Sequence, residues 1–175
     1  LVFSKNLLGL YLFWEITAIV CWRLIGFFRG KADVIKADKA FLVTVFGAVC
    51  MLLGFIMVYS QVAQLNQGTG SFDLGVIKQT LGANHAVVGN MAVFLILLGV
   101  LSKSATVPLH TWLPDAGVAP SPVTALLHAA VLVKIGVYVY ARLFCATFHA
   151  GELWNTVVPV IAGSSAIIAA CAALI

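Results

Sequence analysis

The sequence predicts an all-α membrane protein with about five transmembrane helices, on three observations. Of its 175 residues, 62% are hydrophobic and only 9% are charged, whereas a soluble domain carries about 25% charged residues. The apolar residues form continuous runs long enough to cross a bilayer as helices. These runs lack the polar–apolar alternation that is typical of a transmembrane barrel. The composition excludes a soluble enzyme, and loops at a membrane surface explain the net charge of +4 better than nucleic-acid binding does.

Five apolar segments are predicted to span the membrane within one bundle domain. Their approximate limits are residues 7–28, 40–64, 86–107, 121–144 and 153–175. The chain begins with Leu1 and is apolar up to Ile175, so we expect it to be a piece of a longer protein. The connector 29–39 carries four Lys or Arg residues and is therefore predicted to be a cytoplasmic loop.

Two longer connectors have different predicted structures. Connector 65–85 carries Leu74, Ile77 and Leu81 at helical spacing, which predicts a short amphipathic helix along the membrane interface. Connector 108–120 is predicted to be a rigid, non-helical linker, because proline removes backbone donors and restricts the residue before it. The prolines of this region are Pro108, Pro114, Pro120 and Pro122.

Ionisable residues lie inside several predicted spans, where a charge costs about 2.5–3.5 kcal/mol on insertion scales. Glu15 lies within the first span, and Lys103 lies near the end of the third span among serine and threonine residues. The fourth span carries His128 and, six residues later, Lys134. Arg23 lies close to the end of the first span.

Each of these residues also has a purely structural explanation. A protonated Glu15 could bond to a neighbouring helix, and Lys103 could extend its side chain to the membrane surface. His128 could be a hydrogen-bonded packing residue. We favour extension to the surface for Arg23, and proton handling for Glu15 and for His128 with Lys134.

Titratable groups on neighbouring helices suit proton transfer across a bilayer. Burial disfavours a charged amine, and a nearby carboxylate favours it. A change in the distance between Glu15 and Lys103 would therefore move a proton onto or off the lysine, and His128 and Lys134 could pass it along through water. The four cysteines have no CxxC or Cys–His spacing, so no metal, iron–sulfur or haem site is predicted in this chain.

Three ordered motifs resemble those of a known family. They are KSATVPLHTWLPDA at Lys103–Ala116, APSPVTALLHAAVLVKIGVY at Ala119–Tyr138, and FWE at Phe13–Glu15 followed by LIG at Leu24–Gly26. The motifs are similar to those of the antiporter-like, proton-conducting membrane subunits. Respiratory complex I, Mrp-type cation/proton antiporters and membrane-bound nickel–iron hydrogenases share this family.

The resemblance implies a partial antiporter-like bundle, corresponding to about the fifth to ninth helices of a longer subunit built from inverted repeats. It implies a broken helix near 86–107. The proton-transferring residues that it implies are Glu15, Lys103, His128 and Lys134. The candidate modulators are Arg23, His110 and Asp115.

The resemblance also implies a function without an active site in this chain. The predicted role is proton translocation in a redox-driven membrane complex, either a complex I-like NADH/quinone dehydrogenase or a membrane-bound hydrogenase. The alternatives are a subunit of an Mrp-type Na⁺/H⁺ antiporter and a structural scaffold whose charges only pair helices.

The implied partners are membrane lipids, other antiporter-like and small membrane subunits, and a peripheral redox arm. The partner subunits, and not this chain, would carry iron–sulfur clusters with flavin or a nickel–iron centre. We expect the protein in a bacterial or archaeal cytoplasmic membrane.

Overall fold

Helices form most of the chain in the computed structural model, which describes residues 1–174. In chain order they are α1 (Leu7–Ile25), α2 (Lys31–Leu65), α3 (Leu74–Ala83), α4 (Asn90–Lys103), α5 (Trp112–Asp115), α6 (Ser121–Ala125), α7 (Leu132–Tyr140) and α8 (Glu152–Ala173). A 3₁₀ turn at Ala116–Val118 follows α5, and π-helical turns at Leu126–Ala130 and Ala141–Cys145 follow α6 and α7. The all-α prediction is confirmed.

Four helical spans are long and apolar enough to cross a membrane. They are α1, α2, α8 and the span Ser121–Cys145, which α6, α7 and their π-helical turns form together. The helix α4 is also apolar but has only 14 residues, so its length of about 21 Å is shorter than the hydrocarbon core of a bilayer. After α4 the chain runs through turns to residue 111 before α5 begins. The predictions of about five spans and of a broken helix are confirmed, and the chain is a multi-pass membrane protein.

The helix α2 begins earlier than expected, at Lys31 instead of near residue 40. The segment 31–39 contains neither proline nor glycine, and Asp33 lies in the first turn, where a negative charge stabilises a helix. The prediction that 29–39 is a loop is therefore wrong for most of this segment. Its position on the cytoplasmic side stays a prediction.

The linker 108–120 is partly helical, which corrects the prediction of a wholly non-helical segment. Pro114 lies in the first turn of α5, where the absence of its N–H group breaks no helical hydrogen bond. Pro122 lies in the first turn of α6 for the same reason, directly after the N-cap region at Pro120. Proline therefore interrupts this region between short helices and does not prevent them.

The short helix predicted in connector 65–85 is α3. Asp73 Oδ1 caps it by accepting the N–H of Gly75 at 2.8 Å. Its predicted apolar face, Leu74, Ile77 and Leu81, is buried in the main hydrophobic core. The helix therefore turns this face towards the bundle.

Glycines let α4 pack very closely between α2 and α7. A Cβ atom at Gly99 of α4 would lie 2.9 Å from the backbone oxygen of Gly47 in α2. A Cβ atom at Gly136 of α7 would lie 3.0 Å from the backbone oxygen of Val100. Small residues allow such close approach of membrane helices. This packing encloses α4, including its charged last residue.

Candidate functional site

Lys103, the last residue of α4, is completely buried. Its Nζ atom donates a hydrogen bond of 3.1 Å to the backbone oxygen of Trp14, in the middle of α1. The same atom lies 5.3 Å from the centroid of the Trp14 ring, and an aromatic face stabilises a cation at this distance. The side chain points across the bundle, so the alternative in which it extends to the membrane surface is wrong.

Glu15 is the neighbour of Trp14 in α1 and is partly buried. Its Oε1 atom is buried and has no hydrogen-bond partner among residues 1–174. Glu15 and Lys103 do not form an ion pair within 4.0 Å, since the only such pair in the described part of the chain joins Lys39 and Asp115. A buried carboxylate oxygen needs a hydrogen-bond donor, which a water molecule or a proton on Glu15 would supply.

Two ring nitrogens anchor the linker that follows Lys103. The buried Trp112 Nε1 donates to the backbone oxygen of Ser102 at 2.9 Å, which folds the linker back onto the end of α4. The Nε2 atom of His128 lies 3.1 Å from the backbone oxygen of Leu113. His128 therefore contacts the linker, in agreement with a connecting position between the broken helix and the next span.

The predicted modulators occupy different environments. Asp115 accepts a hydrogen bond of 2.6 Å from Lys39 Nζ, which also donates to the backbone oxygen of Thr111 at 3.1 Å. The Nδ1 atom of His110 is buried and has no partner within the described residues. Arg23 is exposed, with its guanidinium carbon 5.5 Å from the centroid of the Trp22 ring. The preference for an exposed Arg23 agrees with this position.

Lys134 does not join the buried group. It lies on α7 with its side chain exposed at the surface of the bundle. The structure thus brings Lys103 next to Trp14 and Glu15, with His128 held at the linker, and it turns Lys134 outwards. Its role in proton transfer stays a prediction that this geometry does not support within the bundle.

Two residues of this site had no role in the sequence-based hypothesis. Trp14 supplies the carbonyl and the ring that contact Lys103, and Lys39 anchors the linker through Asp115. The FWE motif contained Trp14, but a backbone acceptor leaves no mark on the identity of the side chain. The pair Lys39–Asp115 joins residues 76 positions apart, and no local pattern connects them.

Comparison with known proteins identifies the family. A family model described as "NADH:quinone oxidoreductase/Mrp antiporter, TM" matches residues 4–175. The chain belongs to this family. The predicted resemblance is confirmed.

Relatives within the NADH:quinone oxidoreductase/Mrp antiporter family carry two kinds of name. The chain is 42% identical over 144 residues to a Na⁺/H⁺ antiporter subunit of Alkalihalophilus pseudofirmus, which covers 81% of this chain and 17% of that protein. It is 36% identical over 151 residues to the chloroplastic "NAD(P)H-quinone oxidoreductase subunit 5" of Adiantum capillus-veneris, covering 82% of this chain and 20% of that protein. The chain therefore spans about a fifth of the length of these relatives.

A solved structure shares the fold of this chain. It is that of the membrane-bound sulfane sulfur reductase, described as an archaeal respiratory membrane complex, and its TM-score is 0.70. The identity is 22%, and the match covers 90% of this chain and 31% of that one. In this family member, the motifs recognised in the sequence converge in space, since Trp14 and Glu15 of the FWE motif meet Lys103 of the linker motif.

Proposed function

We propose that the protein is a proton-translocating, antiporter-like subunit of a redox-driven membrane complex. The observation that supports this most strongly is the complete burial of Lys103 in a membrane bundle, beside one backbone acceptor and one aromatic ring. A lysine is rarely placed in such a position unless it has a function, because a buried charge is costly. Its proton can be gained and lost without disrupting an ion pair.

The surroundings of Lys103 suit a group that alternates between two protonation states. The ammonium form is stabilised by the backbone oxygen and the ring of Trp14. The neutral amine avoids the desolvation that a buried charge suffers. A charged Glu15 would stabilise the ammonium further, and protonation of Glu15 would remove that contribution. In this proposal, the state of Glu15 sets whether Lys103 holds or releases its proton.

His128 would receive the proton after Lys103. Its ring contacts the linker that begins directly after Lys103, and water would bridge the remaining distance. Lys134 faces away from this interior, so a role for it requires a path along the outer surface of α7, towards parts of the longer protein.

The assembly that surrounds the chain follows from the same proposal. Both kinds of relative are named as subunits, so we expect other antiporter-like and small membrane subunits as neighbours, together with lipids. A peripheral redox arm would supply the energy. Iron–sulfur clusters with flavin or a nickel–iron centre would lie in that arm, and the basic segment 29–39 would face the cytoplasm of a bacterium or archaeon.

A second function, Na⁺/H⁺ exchange without redox chemistry, is favoured by one observation. The identity to the Alkalihalophilus antiporter subunit is 42%, against 36% to the Adiantum quinone oxidoreductase subunit. Purification of the native complex separates the two functions. Co-purifying iron–sulfur and flavin or nickel proteins would support the redox-driven complex, whereas their absence together with Na⁺-dependent proton movement would support the antiporter.

Replacement of Lys103 tests proton translocation itself. The full-length protein in its native complex is studied in membrane vesicles, with a pH-sensitive dye and normalisation to the amount of assembled complex. Lys103→Ala is expected to lower proton movement about tenfold or more, at the low end of the effect of losing a proton-transferring side chain. The control is Lys78→Ala, which removes an exposed lysine from α3. Normal proton movement by assembled Lys103→Ala complexes would refute the proposal and leave the scaffold alternative.

A further inference from the structure

A wide, open cavity lies where α1 ends and α2 begins. Its volume is about 500 Å³, and the residues lining it include Trp22, Arg23, Arg29 and Ala37. We call this cavity the vestibule. Both arginine side chains are exposed, and neither makes a hydrogen bond or ion pair within the described residues that would close the entrance. Charged groups at its mouth favour its filling by water.

A second, much smaller cavity lies against Lys103. Its volume is about 10 Å³, which is close to the minimum that holds one water molecule. Its lining includes Cys21, Thr44, Trp112 and Lys103. We call it the inner cavity. A water molecule there would have the Lys103 ammonium as a polar neighbour, although Lys103 itself has no access to solvent.

Trp22 lines both cavities. Its Nε1 atom donates a hydrogen bond of 2.8 Å to Asp38 Oδ1 on α2, and its ring packs against Phe41 with centroids 5.2 Å apart. Arg23 lies over the same ring at 5.5 Å. These contacts hold the indole across the space between the vestibule and the inner cavity.

Two other cavities near the site do not offer a polar route to Lys103. A cavity of about 200 Å³ between α4, α7 and α8 is lined mainly by apolar residues such as Leu97 and Val137, and its lining does not include Lys103. A groove of about 150 Å³ between α1 and the fourth span is lined by Ile16, Val20 and other mostly apolar residues. The vestibule is the cavity that combines charged side chains with a wall shared with the inner cavity.

We propose that water and protons reach Lys103 from the vestibule between α1 and α2, and that the indole of Trp22 gates this route. Movement of the indole away from Asp38 would join the inner cavity to the vestibule. A water wire could then exchange a proton with the Lys103 amine, and return of the indole would isolate the lysine again. The role of this route in transport rests on the proposed function, whereas the route itself can be tested without any transport.

Cys21 is a natural reporter for the gate, because its side chain lines the inner cavity beside Trp22. The full-length protein is kept in sealed membrane vesicles of both orientations. The other cysteines are replaced by serine, which within this chain means Cys50, Cys145 and Cys171. A charged methanethiosulfonate reagent, which does not enter lipid, is added, and mass spectrometry follows the rate of Cys21 modification. Cys21→Ser provides the background.

Trp22→Ala is expected to raise the rate of Cys21 modification at least about tenfold, because the rate follows the population of the open gate. Asp38→Ala, which removes only the indole acceptor, should raise the rate less, and it tests the gate if Trp22→Ala fails to assemble. The matched control is Trp154→Ala, which removes a nearly buried indole that donates to Asn90 Oδ1 at 3.1 Å and lies outside both cavities.

The accelerated reaction should occur from one face of the membrane, the face that carries segment 29–39. Unchanged rates in Trp22→Ala and Asp38→Ala, an equal rise in Trp154→Ala, or acceleration from the opposite face would overturn the gate. Faster labelling combined with normal proton movement in assembled Lys103→Ala complexes would refute the proposed function and leave the access route intact.

Discussion

Gly99→Ala is the substitution that most directly tests how α4 is held in the bundle. The added Cβ atom would lie 2.5 Å from the Cβ atom of Met51 and 2.9 Å from the backbone oxygen of Gly47. Neither neighbour is the flexible end of a side chain, so α2 and α4 must move apart. Overpacking of this kind costs about 1–3 kcal/mol, while the exchange of glycine for alanine in a helix gains about 1 kcal/mol.

Gly163→Ala in α8 provides the matched control, because a Cβ atom there would have no neighbour within 4 Å. The gain in helix propensity is common to both substitutions and cancels in their difference. The free energy of unfolding of Gly99→Ala should therefore lie about 1–3 kcal/mol below that of Gly163→Ala. Unfolding of the purified full-length protein in detergent micelles by denaturant, followed by circular dichroism, measures both values. Equal stabilities would refute the close packing of α2 against α4.

Two further predictions concern the linker after Lys103. Trp112→Phe should lower the free energy of unfolding by about 0.5–1.5 kcal/mol in the same assay, because it removes the hydrogen bond to the Ser102 carbonyl and keeps most of the ring; a variant as stable as the wild type would argue against that bond. Lys39→Ala and Asp115→Ala, combined in a double-mutant cycle, should give a coupling energy of only about 0.2–1 kcal/mol, because the two side chains are 43% and 34% exposed. A coupling of several kcal/mol would mean that this pair is more deeply buried than the structure indicates.

The sequence predicted the membrane-spanning character of the chain because that property depends on composition and length. Apolar runs, such as the one that became α8, must form helices in hydrocarbon to satisfy their backbone groups. The position of the linker was also visible in the local sequence, since its prolines interrupt helices wherever they occur. Local rules still failed at α2, where the charged segment 31–39 is helical, because charge decides position in a membrane more strongly than it decides backbone conformation.

Only the tertiary structure decided which of the ionisable residues share an interior. Lys103 and Lys134 both occur in apolar segments, yet the first is completely buried and the second is exposed. The difference arises from the close packing of α4 between α2 and α7, which depends on glycines far apart in the chain.

The sequence by itself determined that this protein is a helical membrane bundle with titratable groups inside its spans. The tertiary structure decided that Lys103 bonds to the backbone of Trp14, 89 residues away, and that Trp22 separates it from the vestibule. The physical reason is that hydrophobic burial and helix formation follow from nearby residues, whereas the direction of a side chain depends on how whole helices are rotated and packed.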